Sequence, residues 1–74
     1  MKAGVEMCSN VVGKEIRRLR RSLGLTQKEL CKNICDQSML SKIEKGETFP
    51  SANILYQLSV RLKVSMEYFF NTQL

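Results

Sequence analysis

The sequence of 74 residues predicts an all-α fold, a compact domain of five short helices. Its one Pro and four Gly leave long stretches without a helix breaker. Four capping residues, each preceded by an apolar residue and followed by another four positions after the cap, mark helix starts. No stretch has the pattern of a strand, so these signals define the fold class.

The first helix is predicted over residues 11–23. Val12, Ile16, Leu19 and Leu23 recur at a spacing that places them on one helix face. Gly24 follows at a position where helices commonly end in a left-handed residue. Residues 1–10 are expected to form a flexible N-terminal arm and residues 72–74 a C-terminal tail, which leaves a domain of residues 11–71.

The four capping residues predict the remaining helices. Thr26 is the clearest cap, because Glu29 completes a capping box with it. The predicted helices cover residues 27–33, 37–45, 52–62 and 66–71, and Gly46 is placed to end the second of these. Each cap and its two apolar neighbours form one of four sets: Leu25-Thr26-Leu30, Cys35-Asp36-Leu40, Pro50-Ser51-Leu55 and Val64-Ser65-Phe69.

The net charge favours an anionic partner. Twelve Lys and Arg against seven Asp and Glu give +5, and the chain has no His. The longest apolar run is three residues, far below a membrane span, and the first ten residues lack the apolar region of a secretory signal. We therefore expect a cytoplasmic protein without membrane contact.

Three cysteines, Cys8, Cys31 and Cys35, form an odd set without a disulfide framework, which is typical of a reducing compartment. Cys31 and Cys35 are spaced to share a helix face, but no His and no second close pair accompany them. We therefore expect buried apolar side chains rather than metal ligands, and we predict no cofactor.

The helix predicted over residues 37–45 has a polar face of five side chains. At about 100° per residue they lie within about 140° of the helix circumference, while Leu40 and Ile43 lie opposite and attach the helix to a core. The polar face consists of Gln37, Ser38, Ser41, Lys42 and Lys45. Such a face is most often simply solvated, but amide, hydroxyl and amine groups without an acid favour base edges in the DNA major groove.

The connection before this helix supports the same interpretation. A predicted turn of residues 34–36 joins two short helices, the proportion of a helix-turn-helix whose second helix enters the major groove. The N–H groups at the start of the first of these helices are placed to bind a phosphate. The candidate phosphate contacts are Thr26, Gln27, Lys28, Asn53 and, at the end of the polar face, Lys45.

The arginines of the first helix have two predicted roles. Arg20 lies beside the apolar stripe, and Glu44 lies at the matching margin of the polar helix. An Arg20–Glu44 ion pair is therefore predicted to fix one helix on the other. The outer face, made up of Lys14, Arg17, Arg18 and Arg21, is expected to supply a positive field rather than specific contacts.

A family resemblance is carried by three stretches, VGKEIRRLRRSLGLTQKEL, SMLSKIEKG and PSANILYQLSVRLKVSMEYFF. They resemble the Cro and lambda-repressor-like helix-turn-helix regulators, also called the xenobiotic response element family. The resemblance covers residues 12–70. Its landmarks, in order, are Gly13, Leu25-Thr26-Gln27, Ile43-Glu44, Gly46 and Pro50-Ser51.

The resemblance implies a five-helix DNA-binding domain of a transcriptional regulator that binds a near-palindromic double-stranded operator as a homodimer. It implies base contacts from Asp36, Gln37, Ser38 and Lys42, to which the polar face adds Ser41, and it implies the Arg20–Glu44 pair. It places the dimer contact near Phe49, Met66 and Tyr68. Tyr56 and Val60, on the far side of the fourth helix, are an alternative surface for a second subunit or a missing domain.

The stretch NICDQSMLSKIEKGETFPS most resembles the DNA-binding domains of pheromone-peptide-sensing regulators of the PlcR and Rgg type. In those relatives a helical-repeat domain follows, so we expect a C-terminal sensor domain or a peptide-responsive partner outside this chain, which is either an excised domain or a stand-alone relative. The sequence departs from the family pattern at three points. The turn lacks the usual Gly, Lys63 stands where a Gly often ends the fourth helix, and Asp36 is an acid that would face DNA. We expect Asp36 to act first as a helix cap.

A second hypothesis keeps the fold and changes the partner. Under this hypothesis the chain is an antitoxin or adaptor that binds mainly another protein, and DNA binding is secondary. An enzyme is not expected, because the sequence has no His, no glycine-rich phosphate loop and no nucleophile with a base beside it.

Overall fold

The computed structural model describes the backbone of residues 9–71 and the side chains of residues 11–70, and within that range it contains five helices and no strand. The helices are α1 (Ser9–Ser22), α2 (Gln27–Cys31), α3 (Gln37–Lys45), α4 (Ala52–Leu62) and α5 (Met66–Asn71). The predicted all-α fold is confirmed. None of these helices is long and apolar enough to cross a membrane.

Two of the predicted helices have different ends in the structure. Helix α1 begins at Ser9 and ends at Ser22, so the last part of the predicted N-terminal arm is helical. Residues 1–8, the tail 72–74 and Cys8 lie outside the described residues. Helix α2 ends at Cys31, so residues 32–36 connect it to α3 in place of the predicted turn of residues 34–36.

The predicted caps hold the starts of α2, α3 and α4. Thr26 Oγ1 accepts from the Glu29 N–H at 3.0 Å, and the Glu29 carboxylate accepts from the Thr26 N–H at 2.8 Å, which completes the capping box. Asp36 Oδ1 accepts from the Met39 N–H at 2.7 Å, and Ser51 caps α4 in the same way. Each such cap stabilises a helix start by about 1 kcal/mol, so Asp36 has the cap role that we expected first.

Helices α1, α3 and α4 end in left-handed residues, with φ of 74° at Gly24, 80° at Gly46 and 65° at Lys63. In each case two N–H groups return to carbonyls of the last turn, the Schellman pattern. Lys63 therefore occupies a conformation that costs an L side chain about 1–2 kcal/mol. This is the costlier cap that the missing Gly predicts.

The C-terminal end of helix α2 is capped by a side chain from α4. Arg61 Nη1 donates to the carbonyl oxygens of Leu30 at 3.0 Å and Lys32 at 2.6 Å, and lies 3.5 Å from that of Glu29. A cation at the last carbonyls stabilises a helix end. Asn33 then takes a left-handed φ of 65°, which Asn tolerates, in place of the Gly expected in this turn. Arg61 and Asn33 together explain why α2 is shorter than predicted.

The core lies where the helices converge on the inner side of α3. It consists of Val12, Ile16, Leu30, Cys31, Leu40, Ile43, Leu55, Leu58, Leu62 and Phe69. Cys31 is thus an apolar core side chain, as predicted. Leu23 is instead 41% exposed, because α1 ends one residue before it.

Helix α1 lies directly against the backbone of α3 at Gly13, which is buried. A methyl group on Gly13 would overlap the carbonyl oxygen of Ile43 and would lie 3.0 Å from that of Glu44. Only a residue without a side chain fits this crossing. Gly13 therefore allows α1 and α3 to lie this close together.

Candidate nucleic-acid interface

The structure exposes the polar face of α3. Gln37, Ser38, Lys42 and Lys45 are exposed and Ser41 is half-buried, while Leu40 and Ile43 on the opposite side are fully buried. The helix is attached to the core by its apolar side, and its polar side faces outward. This is the division that the angular spacing predicts.

A buried ion pair holds α3 from behind. Arg20 Nε donates to Glu44 Oε2 at 2.7 Å and Arg20 Nη2 donates to Glu44 Oε1 at 3.1 Å, a bidentate contact between side chains that are 13% and 3% exposed. Arg20 Nη1 also donates to the Leu25 carbonyl at 2.9 Å. The structure thus contains the predicted pair, and the pair joins α1, α3 and the segment before α2.

Gln27 extends this pair toward the polar face. Its Nε2 donates to Glu44 Oε1 at 3.1 Å, and Gln37 Nε2 lies 3.5 Å from Gln27 Oε1, at the outer limit of a hydrogen bond. Gln27 is half-buried. Sequence reasoning proposed it only as a phosphate contact and missed its bond to Glu44, because nothing in the local pattern indicates a partner 17 residues away.

The other candidate phosphate contacts differ in how much of each side chain is engaged. Lys28 and Lys45 are exposed and, among the described residues, make no side-chain hydrogen bond or ion pair. Thr26 accepts in the capping box, and Asn53 Oδ1 accepts from Gln57 Nε2 at 3.2 Å. A hydroxyl proton on Thr26 and the amide N–H groups of Asn53 remain as donors.

Arg18 of α1 is tied to α5. Its Nη2 donates to Glu15 Oε1 at 2.8 Å and to the Tyr68 hydroxyl at 2.6 Å, and that hydroxyl donates to Glu15 Oε1 at 2.8 Å. The hydrogen bond from Arg18 is the main cause that lowers the pKa of Glu15, followed by that from Tyr68. Arg18 therefore has a structural contact that its place on the outer face did not predict.

The candidate dimer residues lie around α5 and the segment before α4. Phe49 is 38% exposed, Met66 is half-buried against the core, and the Tyr68 hydroxyl is engaged within the subunit as described above. The alternative surface on α4 is more exposed, at 57% for Tyr56 and 58% for Val60.

The described residues contain no cluster of three or more side chains that could hold a metal ion. Cys31 and Cys35 are free thiols. Burial is the main cause that raises the pKa of Cys35, and the neighbouring Cys31 and Asp36 add to it.

A short helix, a tight connection and a second helix with an exposed polar face define a helix-turn-helix domain. The chain belongs to the helix-turn-helix family, whose model matches residues 16–69, and the family predicted from the sequence is confirmed. It is 41% identical over 56 residues to y4dJ, an uncharacterised HTH-type transcriptional regulator of Sinorhizobium fredii, a match that covers 74% of this chain and 73% of that protein.

The structure is similar to that of PlcR from Bacillus thuringiensis, solved in complex with the peptide PapR7 and DNA. The TM-score is 0.80 and the sequence identity 41%, over 82% of this chain. The match spans 22% of the PlcR chain. The resemblance to PlcR-type DNA-binding domains is therefore confirmed for this part of that protein.

Proposed function

We propose that this helix-turn-helix regulator controls transcription by binding specific DNA sequences, with α3 in the major groove. The observation that supports this is the exposed polar face of α3, held from behind by a buried ion pair and an apolar core. The major groove is wide enough for a helix. The similar PlcR domain was solved in complex with DNA, which favours the same partner here.

Base contacts are assigned to the polar side chains at the start and middle of α3. Gln37 offers an amide that pairs bidentately with adenine, and Lys42 an amine for guanine O6 and N7. Ser38 and Ser41 supply hydroxyls for several base edges. Asp36 caps α3 with Oδ1, and its other oxygen is left to accept from cytosine N4.

Phosphate contacts flank these bases. Lys28 lines a surface next to Gln37, and Lys45 lies at the end of the polar face. Neither amine has a partner among the described residues, and we assign both to the backbone. Thr26, Gln27 and Asn53 each keep at least one donor after their contacts within the domain, and donors of this kind bind phosphate oxygens and fix register.

We further propose that two copies bind a near-palindromic operator in the cytoplasm, through a surface that includes Phe49, Met66 and Tyr68. Dimeric helix-turn-helix proteins place their half-sites about 34 Å apart, one turn of DNA. A C-terminal sensor domain or a peptide-responsive partner would then act through segments outside this chain.

Selection of bound sites from a pool of random duplexes tests both parts of this proposal. We expect recovered sites with two inverted half-sites whose centres are one helical turn apart, and affinity that falls steeply with salt. Single half-sites would contradict the dimer. Recovery of no preferred sequence, together with a stoichiometric protein partner in pull-downs, would contradict DNA reading and favour an antitoxin or adaptor.

Two alanine variants are expected to separate base contact from phosphate contact. Gln37→Ala should weaken binding to the selected duplex by roughly 1–3 kcal/mol and leave random duplex nearly unchanged, so that base preference relaxes at one position. Lys28→Ala should weaken both duplexes to a similar degree and reduce the salt slope by about 1. Fluorescence anisotropy titrations at several salt concentrations measure both effects.

Lys14→Ala is a suitable control, because Lys14 is exposed on the outer face of α1 and lines neither the cleft beside α3 nor the surface that Lys28 and Gln37 share. Its effect should be small on either duplex. Equal losses on both duplexes for Gln37→Ala and Lys28→Ala would show that the assigned roles are wrong.

A further inference from the structure

We infer that Arg17 and Lys45 bind a backbone phosphate of the DNA between them, across a cleft where α1 meets α3; this inference rests on the proposed function. The cleft has a volume of about 200 Å³. It is lined by Arg17, Arg20, Gln27, Ser41, Glu44 and Lys45. It therefore combines residues of the polar face with one residue from the outer face of α1.

The net charge at the mouth of this cleft is positive. Its one acid, Glu44, is already bound by Arg20 and Gln27 and is almost wholly buried. Arg17 and Lys45 are both exposed, and neither makes a side-chain hydrogen bond or ion pair with any described residue. Their charges are thus available to an anion from outside.

Arg17 differs in this respect from several other arginines. Arg18 is bound to Glu15 and Tyr68, Arg20 to Glu44, and Arg61 to the carbonyls that end α2. The planar guanidinium of Arg17 is suited to bind two oxygens of one phosphate. Among the arginines of α1 that lack such contacts, Arg17 is the one that lines the cleft beside α3.

The position of the cleft fits the path of a DNA strand. Ser41 and Lys45 form its edge on the polar face, and Gln27 at the start of α2 forms another part of its wall. When α3 lies in the major groove, the phosphates along one edge of that groove pass close to this cleft. Gln27 and the Arg17–Lys45 cleft would then contact neighbouring phosphates, which extends the protein's contact with the backbone onto α1.

Arg21 provides a matched control. It shares with Arg17 a shallow basic surface on the outside of α1, together with Lys14 and Arg18, but it does not line the cleft. It is exposed and loses the same charge on substitution. Arg21→Ala therefore measures what the general positive field contributes, and Arg17→Ala measures that field plus the phosphate contact.

The test uses the full chain and a duplex selected by the wild type from a random pool. Arg17→Ala should reduce the slope of log affinity against log salt by up to about 0.9, the contribution of one cation at the backbone, which corresponds to a loss of up to roughly eightfold at 0.1 M salt. Arg21→Ala should change the slope much less, and Arg17→Lys should restore part of the loss. Equal slopes for the two alanine variants would overturn the inference.

Neutral methylphosphonate groups, placed one at a time along the duplex, locate the phosphate. At one position the wild type should lose clearly more affinity than Arg17→Ala, because the variant has only the Lys45 contact left to lose at that phosphate. Equal sensitivity of both proteins at every position would overturn the inference and leave the proposed function intact. A wild type that binds no DNA duplex at all would overturn both.

Discussion

Replacing Gly13 with Ala is expected to destabilise the domain by about 1–3 kcal/mol, the range of overpacked sites. The added methyl group would overlap a backbone carbonyl of α3, and a backbone atom cannot rotate away as a side chain can. Helix α1 must therefore separate from α3. A urea or thermal denaturation curve measures the loss, and each 1 kcal/mol lowers the melting temperature of a small domain by roughly 4–8 °C.

The sign of this effect is itself diagnostic. At a free position inside a helix, Gly to Ala stabilises by about 1 kcal/mol. The adjacent Lys14 is exposed on the same helix, so Lys14→Ala is a suitable control and should stay within about 0.5 kcal/mol. A Gly13→Ala variant that melts above the wild type would show that α1 and α3 are not in close contact there.

The same substitution should also weaken sequence-specific DNA binding in the fraction that remains folded. Gly13 contacts the C-terminal half of α3, so separation of the two helices tilts the polar face relative to α2. Base contacts require the helix within a fraction of an ångström of its position, whereas contacts of long lysines with phosphates tolerate more. The ratio of affinities for selected and random duplex should therefore fall.

The helix starts were predictable from the sequence because the signals that set them are local. Thr26, Asp36 and Ser51 each bond to an N–H three residues ahead, so a window of a few residues contains both partners. The end of α2 was not predictable in this way. Arg61 caps it from α4, about 30 residues further along the chain, and no local pattern contains that contact.

The candidate site divides along the same line. The outward direction of Gln37 and Lys42 follows from helix geometry alone. The same geometry places Arg20 and Glu44 at the edges of the apolar faces of their helices, where they can form a pair. The bond of Gln27 to Glu44 and the cleft beside Arg17 depend on how α1, α2 and α3 cross. Such contacts follow from tertiary packing, so the sequence assigned Arg17 only to a general positive field.

The Arg20–Glu44 pair is expected to give the largest change in stability on substitution. Arg20→Met removes the guanidinium and leaves Glu44, whose side chain is 3% exposed, with one hydrogen bond from Gln27. Breaking one side of a buried pair costs about 3–5 kcal/mol, because a charge remains buried without its partner. Denaturation of Arg20→Met should show a loss in this range.

The double variant Arg20→Met/Glu44→Leu separates the cost of an unpaired charge from the value of the pair. Apolar replacement of both partners is often neutral or stabilising, so the double variant should recover most of the stability lost in Arg20→Met. The wild type, Arg20→Met, Glu44→Leu and the double variant form a double-mutant cycle, and their stabilities give the coupling energy between the two side chains. Arg18→Met is the matched control, since Arg18 is paired at the surface, where ion pairs contribute little. A double variant no more stable than Arg20→Met would contradict the expectation.

DNA binding by the double variant then tests why a charged pair lies behind the polar face at all. Without Glu44, Gln27 loses the acceptor that orients it, and Gln37 loses a neighbour held in place. The folded double variant should therefore lose more affinity for the selected duplex than for random duplex, because it discriminates less at the base that Gln37 contacts. If its discrimination equals that of the wild type, the pair serves packing alone. A loss of discrimination with recovered stability would show that the pair positions Gln37.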